Sequence, residues 1–171
     1  MKMPDLRAWH SRTPEEARLF NPAFLGSLSY EFVEAYGSKQ DSPASISLMV
    51  VALAITLHEA SRRRLPRSTV TSLYDWLQKN ENLLIGFSAR TRGLLPYIQE
   101  AVMFTIAHNA IEIGEGHRLQ LGSNRVHFPV KFLKETTAEI YDIVKKTKFV
   151  GLWFAKSGSE PSILAAWGVR P

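Results

Sequence analysis

Between Ile46 and Leu57 the chain reads ISLMVVALAITL, without a charge and apolar on nearly every side of a helix. Such a helix has no face to give to water and belongs in a core or a bilayer. It is about a dozen residues long, whereas roughly 20 are needed to cross a membrane. The stretch therefore predicts a central, buried helix around which the other elements must pack. A chain of 171 residues, 45% hydrophobic and 22% charged, can bury it within one α-rich domain spanning 1–171.

The flanking sequence carries helix signals. Thr13, Pro14 and Glu16 make a capping box, and Asn21-Pro22 interrupts the helix and restarts it. Phe24, Leu28, Phe32 and Tyr36 then recur at spacing four as one apolar face, ended by Gly37. Ser42-Pro43 is the expected start of the apolar helix, which should run through Leu57 toward Arg62 and stop at Pro66. Ser68 is the expected cap of TVTSLYDWLQKN. The next helical stretch, Ser88 to Asn109, contains Gly93 and Pro96, which predict a kink or a break.

The period then changes to two. Ile111, Ile113, Leu119 and Leu121 alternate around GEGH, a β-hairpin signal. NRVHFPV offers a third strand, confined to an edge by Pro129. Helical patterning returns in KFLKETTAEIYDIVKKTK, in a short VGLWFAKSG helix ended by Gly158, and in SEPSILAAWG, capped by Ser159. The expected fold class is mainly α: a compact helical domain with a winged-helix-like helix–helix–β-hairpin unit over about 44–130 and C-terminal helices over about 131–171.

Motifs that carry chemistry are missing. With no cysteine, disulfides, thiolate–zinc sites and thiol nucleophiles are excluded, and a reducing compartment fits. The five histidines, His10, His58, His108, His117 and His127, show no HExxH spacing, and no phosphate-binding loop, GxGxxG or GxSxG occurs. The carboxylates fall on solvated helix faces. The expectation is no catalytic residue, no metal, no cofactor and no enzyme activity. MKMPDLRAWH holds no apolar signal core, so a cytoplasmic protein with no membrane partner is expected.

The charge balance, 21 Lys+Arg against 16 Asp+Glu for a net +5, permits nucleic-acid contact without requiring it. Arg62, Arg63, Arg64 and Arg67, then Arg90 and Arg92, then Arg118 at the hairpin are the candidate DNA-binding residues. A solvated basic face, or a protein-docking use of the same unit, is the alternative. YIQEAVMFTIAHNAI is too apolar to lie in a groove of DNA.

Trp9 followed by RTPEEARLFNPAFLG, then LHEASRRRLP, then TSLYDWLQKN, then FVGLWFA and the closing GVRP run in this order along nearly the whole chain. Together they resemble the middle component of the prokaryotic three-component ABC systems, conflict systems related to the Lamassu-type defences. NPAF and GVRP are the most specific pieces and the hairpin the least. The resemblance implies a non-enzymatic adaptor bridging an SMC/Rad50-like ABC ATPase and an effector subunit in antiphage or antiplasmid defence, with double-stranded DNA reached through the complex. The rival is a stand-alone winged-helix transcriptional regulator, which would dimerise and show a polar recognition helix.

The C-terminal stretch FVGLWFAKSGSEPSILAAWGVRP is aromatic where chain ends are ordinarily polar. Trp153, Phe154, Ile163, Trp167 and Val169 are the candidate partner-binding residues. The same side chains could instead pin the tail to its own core. Two short helices are expected from Trp153 onward.

Overall fold

The computed structural model describes residues 6–169. It is mainly helical with one two-stranded antiparallel hairpin. In chain order the helices are α1 (Pro14–Leu19), α2 (Pro22–Gly37), α3 (Ile46–Leu57), α4 (Glu59–Arg64), α5 (Leu73–Gln78) and α6 (Phe87–Ala107). The hairpin, β1 (Ile111–Ile113) and β2 (Leu119–Leu121), precedes α7 (Val130–Glu135), α8 (Ala138–Ala155) and α9 (Glu160–Ala166). No described helix is long and apolar enough to cross a membrane.

The caps explain where the chain turns. Thr13 Oγ1 accepts from the Glu16 N–H and Asn21 Oδ1 from the Ala23 and Phe24 N–H groups, so α1 ends and α2 begins within two residues. Ser45, not Ser42, caps α3 by accepting from the Leu48 N–H. The helix does not run on toward Arg62, because at His58 the backbone leaves helical geometry for an extended one. His58 Nδ1 then caps α4 by accepting from the Ser61 N–H.

Desolvation, reinforced by the nearby charges of Arg90 and Arg62, lowers the His58 pKa below its ordinary 6.5. The folded chain therefore binds that proton less readily than the unfolded chain. The His58 contribution to stability is fully present above pH 6.5 and is lost as pH falls through the window below it. Denaturant unfolding from pH 7.5 down to pH 5 should show the decline in the wild type. A His58→Asn variant, which keeps a capping side chain, should show a flatter profile. Equal slopes in both proteins would remove His58 from the account.

α2 is the central support. It packs most extensively on α8 and on α6. Both crossings are close because each has a glycine at the contact. A Cβ on Gly26 would lie 2.6 Å from Thr105 Cγ2 of α6. A Cβ on Gly151 of α8 would lie 2.9 Å from Ala35 Cβ and 3.0 Å from the Phe32 carbonyl oxygen of α2. α3 lies against α6, α8, α2 and α9, buried from Leu48 through Thr56, as its composition predicts.

Several local expectations are corrected. Helix α5 starts at Leu73 under a Ser72 cap, because Ser68 Oγ instead accepts from Val70 N–H in a turn that leaves Val70 in solvent. Helix α6 is one continuous element across Gly93 and Pro96. Its buried positions Phe87, Thr91, Leu94, Ile98, Val102 and Thr105 keep helical spacing through the proline, so packing holds the helix together. The expected third strand is absent, since Ala44 and Ser45 already occupy the outer edge of β2: Leu119 N–H donates to the Ala44 carbonyl, and Ser45 bridges to Arg118. VGLWFA is not a separate short helix. It is the last third of α8, which runs through Gly151 to Ala155.

Candidate partner-docking surface

Of the seven arginines expected to face DNA, three are tied down within the chain. Arg62 is buried. Its Nε donates to Asp142 Oδ2 at 3.0 Å, Nη2 to Glu139 Oε1 at 3.1 Å and Nη1 to the Thr56 carbonyl at 2.8 Å. Arg90 donates to the Leu83 and Ile85 carbonyls and lies over the Phe87 ring. Arg118 donates to the Pro43 carbonyl and pairs with Glu160 at the start of α9. Arg63, Arg64, Arg67 and Arg92 are exposed. Arg63 pairs with Glu59 one turn back, and Arg64 donates to Asn82 Oδ1.

The five tail residues are placed inward as well. Trp153, Phe154 and Ile163 are 0% exposed and Trp167 1%, while Val169 is half-buried. Trp153 meets Trp76 edge to face at 5.4 Å, and its Nε1–H donates to the Thr71 carbonyl at 2.7 Å. Trp167 lies 4.8 Å from Phe87 and 6.2 Å from Trp76. Polar stitches hold the backbone around them: Gln40 Nε2 donates to the Ala155 carbonyl and Tyr74 Oη to the Ser157 carbonyl. Of the two uses expected of these aromatics, closing the core is the one these contacts serve. From the GVRP motif, Arg170 and Pro171 lie outside the described residues.

What remains open is an apolar groove that sequence reasoning did not find. One cavity of about 470 Å³ is floored by Phe20, Phe24, Leu57, Ile140 and Ile143, with Leu19 on its rim at 61% exposure. A second, of about 270 Å³, continues from the same Phe20 and Leu57 to Leu94 and Gly93 of α6. The polar groups along it are largely committed. Asn21 caps α2, Glu139 faces Arg62, and His58 caps α4. Local sequence gave one trace of this surface, the lone glycine at position 93 inside a helical pattern.

One group among the described residues has ligating atoms close enough for an ion: Glu31, Glu34 and His127. Here the Lys148 ammonium lies 3.0 Å from Glu31 Oε2, so a protein cation already answers the buried carboxylate. The two His127 nitrogens face different glutamates, at 3.7 Å from Glu31 and 3.4 Å from Glu34.

Fold and surfaces together describe a mainly helical protein with a sealed aromatic core and an open apolar groove between its helices. The chain belongs to the family described as ABC-three component (ABC-3C) system Middle Component 3, which matches residues 9–171. No curated protein and no solved structure matches it.

Proposed function

We propose that the protein is a non-catalytic adaptor subunit that bridges an SMC/Rad50-like ABC ATPase and an effector subunit in a prokaryotic defence complex directed at phage or plasmids. The observation that carries this reading is the match to a middle component over nearly the whole chain. Among the buried polar side chains, Arg62 bonds Thr56, Glu139 and Asp142, and Thr56 and Thr147 bond each other and their own helices, an arrangement that holds a fold. The test is co-expression of the chain with the other two subunits of its system. One stable assembly containing all three is expected, and it should lose one partner's link to the other when this chain is omitted. A stable ATPase–effector assembly that forms without it would defeat the bridging role.

Contact with double-stranded DNA through the complex is a second reading, favoured by the exposed arginines at the end of α4 and just beyond it. Arg63, Arg64 and Arg67 would act through phosphates, contacts that are independent of sequence and weaken steeply with salt. Changing these three to glutamate should weaken duplex binding by the assembled complex at least tenfold at low salt and make the salt dependence shallower. Unchanged binding isotherms would return the segment to solvent.

A further inference from the structure

Gly93 has no explanation inside the chain. It sits in the middle of α6, where glycine disfavours a helix by about 1 kcal/mol relative to alanine. A Cβ there would meet nothing within 4 Å, and the backbone does not have the positive φ that demands glycine. The bare backbone instead lines the groove beside Leu57 and Leu94. Absence of a side chain at a groove floor, where the fold does not need it, permits the close approach of another backbone.

The groove also limits what can lie in it. Its lining comes from helices and the caps that join them, with no strand among the lining residues to pair with an extended segment. A segment lying there must satisfy its own backbone hydrogen bonds, and a helix does so. The centre is apolar, so the entering face must be apolar too. Charge on the rim has a sign. The exposed Arg18 lines one end. Arg90 lines the other, where its guanidinium donates to the Leu83 and Ile85 carbonyls, neutral partners that leave its positive charge in place. Among the described residues no carboxylate lies within ion-pair distance of either arginine. The rim carboxylate, Glu139, is already opposite Arg62.

We propose that the groove running over Phe20 and Leu57 is the docking site for an amphipathic helix of a partner subunit, with apolar side chains at spacing three and four and carboxylates flanking them. This rests on the adaptor reading above and names the surface it uses. The entering helix crosses α6 at Gly93, buries its apolar stripe against Phe20, Phe24 and Leu57, and presents its acidic flanks to Arg18 and Arg90.

The test uses the full chain co-expressed with the other two subunits of its system. The Cβ that Gly93→Leu adds meets nothing within 4 Å, and leucine favours a helix over glycine, so the melting temperature should equal or exceed that of the wild type, while affinity for the partner falls at least tenfold. Arg18→Glu should leave the fold intact and weaken the same interaction most at low salt. A photo-crosslinking residue at Leu19 should attach to a partner segment whose sequence shows the helical apolar spacing and acidic flanks. A complex that survives Gly93→Leu unchanged overturns the groove proposal and leaves the adaptor reading standing. Crosslinking to a second copy of this chain, or to a segment without acidic flanks, overturns it as well. A wild-type chain that binds neither subunit removes the adaptor reading, and this inference with it.

Discussion

Trp153→Ala should lower the stability of the isolated chain by about 3–5 kcal/mol, the range for truncating a fully buried large aromatic. The ring has no solvent exposure and touches Trp76, Phe149 and Phe154. Its removal leaves a cavity walled by rings that helices α5 and α8 hold apart, and it strips the Thr71 carbonyl of its donor. With a total stability of about 5–15 kcal/mol for an ordinary protein, this is a large fraction. At roughly 2–4 °C per kcal/mol for a chain of this size, the thermal midpoint should drop by about 6–20 °C. Trp153→Phe should recover much of the loss. An alanine variant that melts with the wild type, yet no longer assembles with its partners, would show that the ring works at an interface instead.

Arg62→Glu should be comparably severe, costing about 3–5 kcal/mol as the breaking of a buried ion pair does. The substitution puts a third carboxylate beside Asp142 and Glu139 and leaves the Thr56 carbonyl without its donor. Arg62→Met should be milder, since its two carboxylate neighbours keep access to water. Urea unfolding of the two variants measures the difference, and equal midpoints would mean that the charge network contributes little. The result bears on DNA binding too. A variant that reverses Arg62 together with its exposed neighbours loses duplex binding by unfolding, so the informative variant keeps Arg62.

The sequence made the central elements legible because their signals are local. The charge-free run Ile46–Leu57, the spacing-four face of α2 and the Asn21-Pro22 restart each state their structure within a few residues, and so does the alternation around GEGH. Errors arose where tertiary packing decides. Pro96 does not break α6 because the buried stripe from Phe87 to Thr105 continues across it. The expected short VGLWFAKSG helix is instead the end of α8, where Gly151 lets that helix come close to α2. NRVHFPV stayed outside the sheet because a distant segment, Ala44 and Ser45, had taken the edge. The groove was illegible for the same reason: α1, α2, α3, α6, α7 and α8 each contribute one to three of its residues, and no stretch of sequence shows that they meet.

The stitches between Gln40 and Ala155, and between Trp76 and Trp153, have a consequence in time. The first joins positions 115 residues apart, and the core of α2 faces α8 across a similar separation. During synthesis at about 5–20 residues per second, α2 and α3 leave the ribosome several seconds before the rings that cover them exist. For that interval ISLMVVALAITL is an exposed, strongly apolar segment. Nascent chains of this protein should therefore be conspicuous clients of ribosome-associated chaperones, and premature termination between Leu57 and Trp153 should yield aggregation-prone fragments in place of a smaller folded core.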